Sequence, residues 1–565
     1  MNTFFKTFKL IKFREKISLF VIFILSLVGV IIDVLTTMLI YPLINVFYDN
    51  NFEFNFKNYD LFGILESLTL KSSPFLVIIL LITIFYFLKA IILTFKVFYN
   101  EKILANLQKR LSYDFYQYYL FKDLNFIKIE NNAIFVRNIK NEVDNFCHKN
   151  IPTFINLATD LILFIGISSV LFYLNPYFSL IIIIFFSFLA LFFITFTKKL
   201  NLKYGKIRAE FSKKLMKHII ETFNSFNILK VSSKEPFFLS LFKGFNSKEI
   251  DSRKKQNIIV NLPSLWLEFI GIFLILLLVT YSSKLNMNQI ELFSYLGVFF
   301  VSMYRILPSI NRMIKHMQAL RYGEVSLNIL SEKLESQNIL EQKNSSQLNN
   351  KYLLKKEIKF KNVSFSYENK QILDNLNIVI KKNTITGIMG PSGSGKSTLL
   401  NLILGFLSPD KGQITIDNLD LKEIRNNWQK SIGYVPQDVY MLDESIANNI
   451  AFGENEKKIS FEKIKNSLIF SEMEDFVNNL KNKENTVIGD TGSLISGGQK
   501  QRLGLARALY NNPSILILDE STNSLDEENE LKIFETINKL KENCTIIIVS
   551  HRKNVYKICD EIIHL

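Results

Sequence analysis

The chain has 565 residues, room for several soluble domains at ~150 residues each, yet 51 of them are Phe and the apolar residues gather in long runs, which argues against an ordinary soluble protein. Three cysteines (Cys147, Cys544, Cys559), none in a CxxC pair, argue against a disulfide framework or a structural zinc site and fit domains facing a reducing compartment. Lys and Arg exceed Asp and Glu by 15, a balance suited to nucleic acid, an anionic membrane surface or an anionic substrate until the charges are placed.

Residues 17 to 32 open the first apolar stretch, which runs on to Pro42. Others follow at about 74 to 98, 151 to 174, 177 to 197, 258 to 281 and 292 to 314. Each suffices to cross ~30 Å of hydrocarbon at 1.5 Å per residue, so six spans are predicted. Asn175-Pro176 separates the third and fourth as a tight turn, which makes them a hairpin. The first run is too long for a signal peptide, and no small-x-small cleavage site follows.

The loop charges set the orientation. Residues 1 to 16 carry Lys6, Lys9, Lys12, Arg14 and Lys16 against Glu15, and residues 198 to 257 carry 15 basic groups against 5 acidic, so both belong in the cytoplasm. Residues 49 to 73 and 282 to 291 face outward, which puts both termini inside. Apolar positions at helical spacing, Leu104, Leu107, Leu111 and Phe115, predict that the spans continue as a stalk beyond the lipid. The predicted organisation is a membrane part over 1–330, a polar linker over 331–356 and a second domain over 357–565.

In that second domain, Gly390-Pro391-Ser392-Gly393-Ser394-Gly395-Lys396-Ser397 follows a β-like run and precedes an amphipathic helix, the context a phosphate-binding loop requires. Gly390, Ser392, Gly393, Gly395, Lys396, Ser397 and Thr398 are the expected nucleotide contacts. Glycines let backbone N–H groups form an anion nest at a helix start, Lys396 reaches the β- and γ-phosphates of a nucleoside triphosphate, and Ser397 ligates Mg²⁺. Further on, Ile515-Leu516-Ile517-Leu518-Asp519-Glu520 reads as a buried strand ending in two acids. Asp519 is expected to hold Mg²⁺ and Glu520 to polarise the attacking water.

Between these motifs lies Leu494-Ile495-Ser496-Gly497-Gly498-Gln499, and here the chain resembles the ATP-binding cassette family, with Ile495 where the family signature has Leu. The resemblance assigns Tyr367 to stacking on adenine, Gln437 to the loop glutamine near Mg²⁺, Asp526 to a position after the acid pair, and His551 to the residue after the strand IIIVS. Gly489-Asp490-Thr491-Gly492 looks like the exporter-type loop that contacts the membrane domain. Ser496, Gly498 and Gln499 are expected to complete the γ-phosphate site of a second cassette. One chain supplies one cassette, so the resemblance implies an exporter-type, domain-swapped homodimer: a six-helix transmembrane domain followed by an α/β P-loop cassette in each subunit. Short helices over roughly 125 to 137 and 223 to 231 are expected to dock on the cassettes.

The spans contain Asp33, Lys89, Asp160, Glu268, Arg305 and Arg312, each expected to face a partner or a water-filled cavity. Arg305 and Arg312 sit nearly on one helical face around Pro308 and are expected to line an anion path, the alternative being that they pair with acids. The run Tyr304 to Arg312, with Leu262-Pro263 and Leu267-Glu268, looks like the bacterial flippases of lipid-pyrophosphate-linked oligosaccharides used in protein N-glycosylation. Lys89 keeps the charge of a family Arg, whereas Ser264 stands where that family has a basic residue. Residues 59 to 68 resemble its small external helix. The expectation is an ATP-driven flippase in the bacterial inner membrane, acting on an anionic lipid-linked glycan and not on nucleic acid. A lipid A, drug or peptide exporter is the rival, with a protease-fused peptide exporter disfavoured because no extra domain precedes the first span. A soluble cassette ATPase acting on DNA or ribosomes is also disfavoured, because the runs have membrane-spanning length.

Overall fold

The computed structural model describes residues 7–48, 74–122, 124–130, 132–174, 176–282, 289–335, 351–367, 370–391, 393–489, 492–521, 527–552, 555 and 557–565. The chain divides into two compact units, Met1–Lys343 and Asn344–Leu565.

The described residues of the first unit are helical apart from short turns and bends. The opening stretch is not one rod: α1 (Phe13–Met38) stops at Leu39 and α2 (Ile40–Tyr48) resumes. Then come α3 (Pro74–Leu120), the short α4 (Leu124–Ile129) and α5 (Asn132–Arg137), α6 (Ile151–Leu174), α7 (Pro176–Asn224), the short α8 (Phe226–Val231), α9 (Glu235–Ser282) and α10 (Gln289–Glu335). The short helices α4, α5 and α8 fall in the two segments where short cytoplasmic helices are expected. Pro176 opens α7, where its missing N–H costs no intrahelical bond. The four longest helices have 47 to 49 residues, so each spans ~70 Å at 1.5 Å per residue, more than twice the ~30 Å of a bilayer core. The surplus forms the stalk, in which Leu104, Leu107, Leu111 and Phe115 are all at most 1% exposed and pack on Phe146, Leu327 and Leu330.

Among the described residues, five helical stretches are long and apolar enough to cross a membrane: Phe13–Phe47, Phe75–Leu120, Ile134–Leu174, Ile183–Asn224 and Glu235–Leu274. The sixth expected stretch lies within α10, which continues to Glu335 and so takes in the first residues of the expected linker. The predicted external helix at 59 to 68 lies outside the described residues. Between α5 and α6 the chain passes through wide π-type turns at Asn138–Glu142 and Phe146–Asn150. Glu142, 2% exposed, lies there between Arg137 and Arg208 at 3.8 and 3.6 Å.

The second unit has two sheets. One is antiparallel in the order β2-β1-β4-β5, from β1 (Glu357–Tyr367), β2 (Lys370–Lys381), β4 (Lys411–Ile416) and β5 (Leu419–Asp420). The other is parallel in the order β6-β7-β8-β3-β9, from β3 (Ile385–Met389), β6 (Ile432–Val435), β7 (Ile515–Asp519), β8 (Thr545–Val549) and β9 (Glu561–His564). Its central strands read Ile-Leu-Ile-Leu and Thr-Ile-Ile-Ile-Val because helices cover both faces, leaving no solvated side to alternate toward. Since β6, β7, β8 and β3 all run the same way, the residues that follow each emerge at one edge of the sheet, where open α/β sheets place their ligands. Three apolar clusters hold the unit, with Trp428 fully buried and donating its indole N–H to Ile403 O at 2.7 Å.

Candidate functional site

Gly390 to Gly395 leave the carboxyl end of β3 and lead into α11 (Lys396–Ile403). Gly395 precedes the helix with φ 101°, and a Cβ there would also press on Ile372 and Leu373 at 3.1 Å, so both conformation and space demand glycine. Lys396 is 7% exposed, and its ammonium donates to the loop carbonyls of Gly390 at 2.8 Å and Pro391 at 2.9 Å. The loop thus holds its own cation in place by weak neutral acceptors that a phosphate can replace. Ser397 is exposed on the first turn and Thr398 is buried; Ser392 and Asp526 lie outside the described residues.

Asp519 ends β7, and Glu520 follows in the left-handed region at φ 49°, pinned by its N–H to Val549 O at 2.9 Å. A non-glycine residue held there costs of order 1–3 kcal/mol, a pattern that clusters at functional sites. The turn aims the Glu520 carboxylate at two neighbours. Gln437, two residues beyond β6, donates from Nε2 to Glu520 Oε2 at 2.8 Å, and His551, two residues beyond β8, places Nε2 3.1 Å from Oε1. The three residues expected to be catalytic therefore meet at one carboxylate. Because Gln437 spends its N–H on Glu520, its carbonyl oxygen stays available to a hard cation. Together with Ser397 and Asp519 it offers the all-oxygen donor set that Mg²⁺ prefers.

Sequence reasoning missed Tyr434. Its hydroxyl donates to Asp519 Oδ2 at 3.3 Å from the neighbouring strand β6. Burial raises the Asp519 carboxyl above its ordinary value, with Glu520 adding to it, while Tyr434 and Lys396 pull it down. Burial and the Asp519 charge in turn push the Tyr434 phenol well above its usual range. No local signal singles out Tyr434, because only strand pairing brings it to Asp519.

This shift has a testable consequence. A carboxyl raised in the folded state disfavours folding once it must ionise, so the penalty is absent below pH ~4 and grows as pH climbs through the folded value. Asp519→Asn, whose amide oxygen still accepts from Tyr434, should raise the nucleotide-free melting temperature near pH 7 by a few degrees, about what ~1 kcal/mol gives in a domain of this size. The gain should shrink toward pH 4. Scanning fluorimetry of full-length protein across pH checks it; a gain independent of pH would refute the cause.

The Ser496 end is differently organised. Ser496 caps α12 (Gly497–Leu509) in a reciprocal box, its Oγ accepting from Gln499 N at 3.2 Å while Gln499 Oε1 accepts from Ser496 N at 2.8 Å. The Ser496 hydroxyl proton and the helix N-terminus remain for an anion, whereas the Gln499 carbonyl oxygen is committed to the cap. Gly498 sits in the first turn, partly exposed, and Asp490 and Thr491 fall outside the described residues. Tyr367 ends β1, 41% exposed, with its ring edge-on to Phe365 at 5.0 Å, so one face is open for stacking.

In the first unit, each expected path cation has an acidic partner. Lys89 on α3 donates to both oxygens of Asp33 on α1 at 2.7 and 2.8 Å. Arg305 on α10 reaches the same carboxylate at 3.3 Å and donates to Asp33 O, Thr37 Oγ1, Thr36 Oγ1 and Tyr86 Oη. Arg312 donates to Asp160 Oδ1 at 2.7 Å with His316 near the other oxygen, and its side chain is 48% exposed. The alternative of pairing with acids is thus realised. Among the described residues two cations share one acid at Asp33, so the carboxylate balances one of them. Ser264 donates to Asn261 O and Glu268 is exposed.

The transmembrane region of the ABC transporters matches residues 19–307, and the ABC transporter ATP-binding region matches 373–523. Over 211 residues the chain is 41% identical to the ATP-dependent lipid A-core flippase of Wigglesworthia glossinidia brevipalpis, covering 37% of this chain and 36% of that protein. Over 210 residues it is 42% identical to the alpha-hemolysin translocation ATP-binding protein HlyB of Escherichia coli, covering 37% and 29%. The chain therefore matches only about a third of the length of these curated relatives. In fold it is similar to a bacterial Atm1-family ABC exporter solved with ATP bound, with a TM-score of 0.76 over 96% of this chain and 93% of the other, at 19% identity.

Proposed function

This chain belongs to the ABC transporter family, and from that membership we propose that it is an exporter that couples ATP hydrolysis to moving an anionic lipid-linked substrate across the bacterial inner membrane as a homodimer. The observation that carries the ATPase half is the convergence of Gln437 and His551 on the Glu520 carboxylate at the edge of the parallel sheet. Glu520 accepts the proton of the attacking water, with His551 and Gln437 holding its two oxygens in place. Lys396 leaves the Gly390 and Pro391 carbonyls for the phosphates. Ser397, Gln437 and Asp519 would hold Mg²⁺, which supplies charge neutralisation at the phosphates. Ser496 and Gly498 at the start of α12 serve the nucleotide of the partner cassette, whereas Tyr367 stacks on the adenine bound to its own cassette.

The substrate half rests on Lys89, Arg305 and Arg312. Asp33 neutralises only one of the two cations that share it, and Arg312 is half exposed. An anion is thereby favoured, and a lipid-pyrophosphate-linked oligosaccharide fits as well as a phosphorylated lipid A. The identity to the lipid A-core flippase and the toxin exporter extends over about 210 residues only, so it supports ATP-driven export without choosing a cargo. Proteoliposomes given ATP with fluorescent lipid-pyrophosphate glycan, lipid A precursor or hydrophobic cation discriminate. We expect flipping of a phosphorylated lipid that falls at least tenfold in Arg312→Gln while basal ATPase changes less than twofold. Transport of the cation alone would overturn the anionic reading.

A further inference from the structure

The first unit holds an apolar cavity of about 540 Å³ lined by the segment that leads into α1, the first turns of α1 and the beginning of α6. That volume lies within the roughly 300–1,000 Å³ of small-molecule sites. Its floor is the buried side chains of Ile11, Leu19 and Ile151, the end of the apolar cluster that continues into the stalk. Its mouth carries Ile17 and Phe20, which are 50% and 60% exposed. The small Ala158 on α6 leaves the gap that Phe20 and Phe23 do not fill. The lining is otherwise apolar save for Thr7 and Lys16, and the Lys16 ammonium stands 6.0 Å over the Phe8 ring.

The charge around the cavity is one-sided. Residues 7 to 16 supply Lys9, Lys12, Arg14 and Lys16 against Glu15, and Glu15 is taken by Arg110, whose Nε lies 2.6 Å away. The positive-inside rule puts this segment, and the beginning of α6 with it, at the cytoplasmic face. That leaflet is the anionic one, and a basic side chain near it gains about a fivefold preference for anionic lipid. A cavity with a greasy floor and a cationic rim, at the depth where a span begins, matches an acyl chain below and a phosphate above.

We propose that this cavity binds one anionic phospholipid of the inner leaflet, its acyl chain seated against Ile11, Leu19 and Ile151 and its phosphate at Lys16. The site is separate from the Asp33 and Asp160 clusters and stands whether or not the cargo reading holds.

The test uses full-length protein in nanodiscs containing equal phosphatidylglycerol and phosphatidylcholine, released into detergent for native mass spectrometry. Wild type should retain phosphatidylglycerol preferentially. Lys16→Gln should lower the phosphatidylglycerol to phosphatidylcholine ratio about fivefold, and Ala158→Phe should lower retention of both. Should Ala158→Phe fail to fold, judged by its ATPase, Lys16→Gln alone decides. Equal retention of the two lipids by wild type, or an unchanged ratio in Lys16→Gln, overturns the proposal. So does the absence of any retained lipid.

Discussion

Glu520→Gln is expected to lower steady-state ATP turnover by about 10²–10⁴-fold, the range a positioned general base supplies, while ATP still binds. Glutamine keeps the length of the side chain and can adopt the same left-handed turn, and its oxygen can still accept from Gln437 Nε2. What it loses is the second anionic oxygen that now faces His551, and with it the basicity that draws the proton from water. Phosphate release and nucleotide retention, measured on one preparation, separate chemistry from binding. With Mg²⁺ and ATP the variant should accumulate as a dimer, because closure no longer ends in hydrolysis. Turnover within tenfold of wild type would remove Glu520 from the role of base. His551→Ala should be milder: it removes one partner of Glu520 but leaves the carboxylate in place.

Asp33→Asn should destabilise the helical unit by about 3 kcal/mol, since removing one member of a largely buried ion cluster strands the charges left behind. The side chains of Asp33, Lys89 and Arg305 are 13%, 21% and 10% exposed. The damage should not be shared equally. Arg305 keeps four oxygen acceptors after the substitution, on Asp33 O, Thr37, Thr36 and Tyr86, whereas both Lys89 hydrogen bonds described go to the Asp33 carboxylate. Lys89→Met placed on Asp33→Asn should therefore restore most of the lost stability, and Arg305→Gln should restore little. Thermal unfolding of the single and double variants in one detergent closes the cycle. Additive losses would show that the cluster does not act as a unit.

Much of this architecture was legible in the chain itself. The lengths of the apolar runs placed the helices, because hydrocarbon thickness leaves few alternatives for an uninterrupted apolar stretch. The spacing of Leu104, Leu107, Leu111 and Phe115 marked a buried stripe, because a helix returns to the same face every three to four residues. Asn175-Pro176 marked a helix boundary through the fixed φ of proline. The phosphate loop was readable because its glycines answer to local geometry, as Gly395 does.

What the chain could not reveal is whatever depends on contacts between distant segments. Asp33 and Asp160 were visible as acids, but which cation each holds was set by helix packing across as many as 272 positions. The break at Leu39 and the continuation of α10 to Glu335 depend on packing that a run of apolar letters does not encode. Tyr434 and Asp519 meet only through the pairing of β6 with β7. Residue types and local periodicity thus determined the helices and the glycine-rich loop, since these answer to backbone geometry and solvent exposure within a few residues, while the candidate reacting groups Gln437 and His551 came from the resemblance to a family pattern. Tertiary structure alone decided which charge neutralises which, and that Gln437 and His551 close on Glu520, because the strength of an ion pair or hydrogen bond is fixed by separations that only the folded chain defines.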